Sequence, residues 1–175
     1  MKPEPATDGF AVPVSDRYFE DYTAGFTQEY GSLTVTEQEV IDFAVQFDPQ
    51  SFHIDPAAAK DGPFGGLIAS GWHTVALMMK LFAEHYLSTV ASLGSPGVDE
   101  LRWLKPVRPG DSLRLRVHTL DTRLSRSDPG RGVIRTLAEL ADAQGEPVLR
   151  VTIVNLLSTR HCDGRSADPT TATSV

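Results

Sequence analysis

Between Phe26 and Val35 the apolar residues alternate loosely and include Tyr, Thr and Val, a pattern that predicts a strand. Thr36-Glu37-Gln38-Glu39 then fits a capping box, in which the threonine hydroxyl and the glutamate carboxylate each satisfy an exposed backbone donor. Val40, Ile41, Phe43, Ala44 and Phe47 follow at near-helical spacing. Asp48-Pro49 closes that helix, because proline disfavours helical geometry in the residue before it. Asp55-Pro56 starts a second, short helix through Ala57, Ala58, Ala59 and Lys60, stopped by Gly62-Pro63. From Gly71 through Leu87 there is neither proline nor internal glycine, and Trp72, Val75, Ala76, Leu77, Met78, Met79, Leu81, Phe82 and Ala83 cover nearly every side of a helix. A helix apolar all round, outside a membrane, is expected to be enclosed all round.

Four strand-like runs follow, at about 98–107, 112–122, 132–142 and 147–159. Leu113, Leu115 and Val117 alternate with Arg114, Arg116 and His118, so the second run has one core face and one polar face. Arg108-Pro109-Gly110-Asp111, Ser127-Asp128-Pro129-Gly130 and Ala143-Gln144-Gly145-Glu146 are turn signals between the runs. The four runs therefore read as antiparallel neighbours. The fold class is α+β: a long buried central helix wrapped by a curved antiparallel sheet of five or six strands, the arrangement called the hotdog fold. One folded unit is expected over residues 17–160, with flexible tails at 1–16 and 161–175 that are rich in Pro, Gly, Ser, Thr and Asp.

A formal charge of −7 argues against a nucleic-acid binder, which needs a basic surface to neutralise phosphates. The charge is uneven, however. Residues 102–135 carry nine Lys/Arg against Asp111, Asp121 and Asp128, which reads either as solvated strand faces or as a local anion-attracting surface. The start of the chain lacks the basic region and apolar stretch of a secretory signal, and the apolar run from Val75 to Ala83 is too short to span a bilayer, so a cytoplasmic protein with no membrane partner is expected. Cys162 is the sole cysteine, which excludes a disulfide within the chain.

Two segments carry candidate chemistry. Asp48 and His53 stand five positions apart across a proline-containing connection between helices, where an acid and an imidazole can be aimed at one point. Asp48 also meets the negative end of the preceding helix dipole, an unfavourable place for a carboxylate. The second segment, Phe64 to Thr74, leads into the long helix. There Ser70 can cap the helix, and the Gly71 N–H can donate to a thioester carbonyl in the manner of an oxyanion hole. His73 and His85 lie on the long helix without a carboxylate or cysteine at ligand spacing, so no metal site is expected. Met78 and Met79 read as core. Neither a phosphate-binding glycine motif ending in Lys-Ser or Lys-Thr nor a Gly-x-Ser-x-Gly elbow occurs.

From about Arg17 to Thr159 the chain resembles the MaoC-like dehydratases, which include the (R)-specific enoyl-CoA hydratases. The likeness is carried by Asp48, Pro49, Gln50, Phe52, His53, Asp55 and the segment Phe64 to Thr74, and again by Arg108-Pro109-Gly110-Asp111. The resemblance implies a hydro-lyase of fatty-acyl metabolism that adds or removes water across the 2,3 double bond of an enoyl thioester. Asp48 and His53 would be catalytic, and Ser70 and Gly71 substrate-binding. It implies an acyl-CoA or acyl-carrier thioester as the small-molecule partner, no cofactor beyond the coenzyme A of the substrate, and a homodimer or dimer of dimers. This sequence departs from the enoyl-CoA hydratases at Phe47, where they commonly have glycine, and at Gln50, which would replace an asparagine amide. Phe47 is expected to narrow or redirect the pocket, and the arginines between Arg102 and Arg135 to bind CoA phosphates or a substrate carboxylate. Two alternatives stay open. One is an acyl-CoA thioesterase, for which Glu84 is the only acid on the long helix; the other is a non-catalytic acyl-CoA-binding module.

Overall fold

The computed structural model describes residues 9–160. Strand β1 (Thr27–Thr34) is followed by helix α1 (Glu37–Phe47), two short helices α2 (Ser51–Ile54) and α3 (Pro56–Lys60), and the long helix α4 (Gly71–His85). Strands β2 (Gly97–Trp103), β3 (Ser112–Leu124), β4 (Arg131–Ala141) and β5 (Pro147–Ser158) complete one sheet in the order β1-β3-β4-β5-β2, antiparallel at every pairing. The capping box at Thr36 and Glu39 forms as the sequence predicts.

The inward rows of the sheet, among them Leu113, Leu115, Ile134, Leu140, Leu149 and Leu157, are fully buried and share one core with Leu77, Met78, Leu81 and Phe82 of α4. Each such side chain contributes roughly 1.5–3 kcal/mol by leaving water. This is the hotdog fold. The enclosure of α4 differs from expectation, because the five strands curve around one side of it only. Trp72 and Met79 are 59% and 40% exposed on the other side, where Ala76, Lys80, Ala83 and Glu84 also face outward.

The connection from β2 to β3 is the second difference. Arg108 and Asp111 do close a local turn, with the Asp111 N–H donating to the Arg108 carbonyl at 3.1 Å, but β2 and β3 are not neighbours. Leu104 bonds to Val148 of β5, Val107 accepts from Ala69 just before α4, and Gly110 bonds to Val35 after β1. The chain thus crosses the end of the sheet from one side to the other, past the start of α4. Turn residues report a local reversal, whereas the pairing partner of a strand is set by long-range packing.

Phe10 packs 4.4 Å from Phe26 and 5.2 Å from Tyr22, so the packed chain begins ahead of the expected boundary at residue 17. The remainder of that expected tail, residues 1–8, and the tail expected at 161–175, with Cys162, lie outside the described residues. Among the described residues no helix is long and apolar enough to cross a membrane.

Candidate active site

Pro49 ends α1 and leaves Asp48 as its C-terminal cap. The single turn of α2 then brings His53 back, so that its Nε2 lies 3.4 Å from Asp48 Oδ2. His53 is 4% exposed, and its Nδ1 lies 2.8 Å from the Ile68 carbonyl. A carbonyl can only accept, so Nδ1 carries the proton and Nε2 is the atom presented to Asp48. Ile68 is itself tied to α2 by its N–H, which donates to the Phe52 carbonyl.

Ser70 caps α4: its Oγ accepts from the Trp72 N–H at 3.2 Å. The same hydroxyl donates to Asp48 Oδ2 at 2.7 Å, and Gln50 Nε2 donates to Asp48 Oδ1 at 2.7 Å. The Ser70 bond first, then the Gln50 bond, hold the Asp48 carboxyl below its ordinary value; burial opposes them and the nearby His53 assists. These donors outweigh the unfavourable helix end anticipated for this residue.

Gly71 starts α4, so its N–H has no acceptor within the helix. It lines a cavity of about 320 Å³ whose walls include Phe52, His53, Phe64, Ile68, Thr74, Trp103, Leu104 and Val107. The structure therefore brings Asp48, His53, Ser70 and Gly71 together at one end of α4, with a largely apolar pocket beside them. Phe47 is not part of it. It is 63% exposed and packs against Phe43 at 5.0 Å, because its place on α1 faces away from the pocket.

Most of the basic stretch also lies elsewhere. Arg114 and Arg116 pair with Glu29, Arg135 with Asp99, and Arg102 with Glu100, all on exposed strand positions. Glu29, Arg116, Glu139 and Arg150 form a row across β1, β3, β4 and β5, with the sign alternating from strand to strand. Only Lys105 and Arg108 approach the site. Lys105 lines the pocket with its Nζ 3.3 Å from Asp142, and Arg108 donates to the Phe64 carbonyl at 2.6 Å.

His73 is buried and stacked on Phe43 at 4.8 Å, and His85 is stacked on Tyr30 at 5.5 Å, so both act in packing. No group of three or more His, Cys, Asp or Glu side chains that could hold a metal occurs among the described residues. Sequence reasoning missed Trp103 and the Ile68 carbonyl. A backbone acceptor leaves no residue-type signal, and a tryptophan ending a strand reads as core until the crossover places it.

Residues 23–139 match the MaoC like domain family. The chain belongs to that family. A relative, the 3-hydroxyacyl-thioester dehydratase Z of Mycobacterium tuberculosis (strain ATCC 25618 / H37Rv), is 32% identical over 118 residues, 65% of this chain and 74% of that protein. The uncharacterized protein YdeM of Bacillus subtilis (strain 168) is 33% identical over 111 residues, 63% of this chain and 79% of that protein. Among solved structures, a MaoC-like dehydratase from Rhodospirillum rubrum superposes with a TM-score of 0.74 at 34% identity, covering 82% of this chain and 98% of that one.

The pH dependence of this MaoC-like site follows from Ser70. A base at Asp48 has to be the carboxylate, so activity that uses it is expected to fall as pH drops through its depressed pKa. Ser70→Ala removes the largest cause of the depression and is expected to move the acid limb of kcat/KM to higher pH, toward the ordinary aspartate value of about 3.9. Losing the helix cap is expected to cost about 1 kcal/mol in urea unfolding at neutral pH.

Proposed function

We propose that this protein is a hydratase/dehydratase that adds water to, or removes it from, the 2,3 double bond of an enoyl-CoA ester. The observation that carries the reading is Asp48 and His53 meeting at 3.4 Å beside the unpaired helix start at Gly71. A water donating to Asp48 Oδ2 loses that proton as its oxygen bonds to C3, and His53, which must be the imidazolium for this step because Nδ1 keeps its own proton on the Ile68 carbonyl, gives the proton on Nε2 to C2. Charge that gathers on the thioester oxygen is met by the Gly71 N–H. The short distance between Oδ2 and Nε2 lets the proton return from Asp48 to His53 after each turnover. Dehydration runs the same steps in reverse.

The pocket volume lies at the low end for small-molecule sites, and the walls are mainly apolar, which favours a short or branched uncharged acyl group. With most arginines paired on the outer sheet, Lys105, itself 3.3 Å from Asp142, is the basic side chain that lines the pocket and stands nearest a phosphate or carboxylate at the mouth. A thioesterase is disfavoured because Glu84 faces outward on α4, away from the pocket.

A second copy of the chain is part of the proposal. Strand β2 is an edge strand exposed along nearly its whole length, and Trp72, whose ring meets Trp103 of β2 at 5.5 Å, and Met79 are exposed apolar side chains on α4. A homodimer would cover both, and light scattering after size exclusion reads its mass. The cytoplasm, where CoA esters are formed and used, is the compartment in keeping with this activity.

The test is loss of enoyl-thioester absorbance with crotonyl-CoA and with longer and branched enoyl-CoAs. Turnover with any of them supports the reading. Release of free thiol from saturated acyl-CoAs, with no change in any enoyl ester, overturns it in favour of a thioesterase.

A further inference from the structure

Trp103 ends the edge strand β2, is 46% exposed, and nevertheless makes one well-formed contact inward. Its Nε1–H donates to the Gly71 carbonyl at 2.8 Å. The indole lies so close over Gly71 that a Cβ there would stand 2.7 Å from Nε1 and 2.8 Å from Cε2. Gly71 is the first residue of α4, and the ring resting on it leaves no room there for a side chain. A carbonyl in the first turn already accepts from the N–H four residues on, so burial alone does not call for the tryptophan's bond.

The bond has a direction. The Gly71 carbonyl and the Trp72 N–H are the two ends of one peptide unit. The Trp72 N–H donates to Ser70 Oγ at 3.2 Å, and the Ser70 hydroxyl donates to Asp48 Oδ2 at 2.7 Å. Every link points the same way: indole N–H to carbonyl, amide N–H to hydroxyl, hydroxyl to carboxylate. Donation to a peptide oxygen polarises that unit and strengthens its N–H as a donor, and this cooperativity adds along a chain of aligned bonds.

We infer that Trp103 is a positioning residue for the catalytic carboxylate, acting through the Gly71–Trp72 peptide and Ser70 to hold Asp48 as a charged, oriented base. The inference rests on the hydratase reading for its effect on turnover, and on geometry alone for its effect on Asp48. Because Trp103 sits on the edge strand, anything that orders that edge also orders the far end of the relay.

The experiment compares Trp103→Phe, which keeps an aromatic wall but removes the N–H together with part of the ring, with Ser70→Ala and the double variant. Two readouts are used: kcat and KM for crotonyl-CoA across pH, and titration of the Asp48 carboxyl by carbon-13 NMR without substrate. Trp103→Phe is expected to lower kcat roughly threefold to tenfold, the rate equivalent of one neutral hydrogen bond, with KM little changed. It is also expected to raise the Asp48 titration midpoint in the same direction as Ser70→Ala, but less. In the Ser70→Ala background the further change is expected to vanish, since the chain is already cut. A wild-type Asp48 titration in Trp103→Phe, or an effect that persists undiminished without Ser70, overturns the relay. Absence of turnover in the wild type with every enoyl-CoA would instead overturn the hydratase reading, and the NMR titration would still decide the relay.

Discussion

Asp48→Asn and His53→Gln are each expected to lower kcat for enoyl-CoA hydration by about 10²–10⁴-fold, the range of a positioned acid or base, with the fold retained. Asparagine preserves the shape of Asp48, so Ser70 can still donate to its carbonyl oxygen, whereas the power to take a proton from water is gone. It also removes a negative charge from the C-terminal end of α1, so stability at neutral pH should change by less than about 1 kcal/mol. Glutamine at position 53 can still donate an amide N–H toward the Ile68 carbonyl but presents no titratable atom to Asp48. The double variant is expected to be little worse than either single one, because two groups sharing one water fail together. The check is the initial rate of absorbance loss for the four proteins, with circular dichroism confirming that each is folded. Retention of more than a tenth of wild-type kcat in either single variant would remove that residue from the chemistry.

The meeting of Asp48 and His53 was legible because the sequence keeps both within one short segment. The proline after Asp48 and the turn that follows aim both side chains locally, so little depends on the rest of the fold. Ser70 and Gly71 were legible for a related reason, since a serine before a long helix predicts both its cap and the free N–H groups behind it. The long helix and the run of alternating strands gave the layers for the same reason, as periodicity is a local property. What was not legible depends on pairing between distant segments. Three turn signals look alike in sequence, yet one of them joins strands on opposite sides of the sheet, and that crossover is what carries Trp103 onto Gly71. The arginines of 102–135 likewise look like an anion site until the register puts Glu29, Asp99 and Glu139 beside them. The apolar outer side of α4 was read as buried because the pattern does not say whether the cover comes from the same chain or from a second one.

The largest expected effect on stability lies at the opposite end of α4, roughly 20 Å from the site for a helix of 15 residues. Arg17 is fully buried, with Nη1 donating to the carbonyls of His85 and Tyr86 at 3.0 and 2.9 Å and Nη2 to that of Val12 at 3.1 Å. Its guanidinium carbon lies 3.5 Å from the centre of the Phe10 ring. The cation thus caps the end of α4 where the peptide dipoles are negative, and it pins the N-terminal segment to the core. Tyr22 donates to the same Tyr86 carbonyl at 2.8 Å, so the arginine is one member of a buried polar cluster. Arg17→Met keeps much of the side-chain volume, strips the His85 and Val12 carbonyls of this donor and leaves the Tyr86 carbonyl to Tyr22. The expected cost is about 3 kcal/mol or more, a fall in Tm on the order of 10 °C for a domain of this size. Arg17→Lys, which keeps the charge but not the planar fork, is expected to recover less than half of it. Because α4 remains folded at its other end, kcat at 15 °C should stay near wild type, which separates this change from those at Asp48 and His53. A loss of less than about 1 kcal/mol in urea unfolding for Arg17→Met would show that the carbonyls find other donors, and that the helix end does not depend on the buried charge.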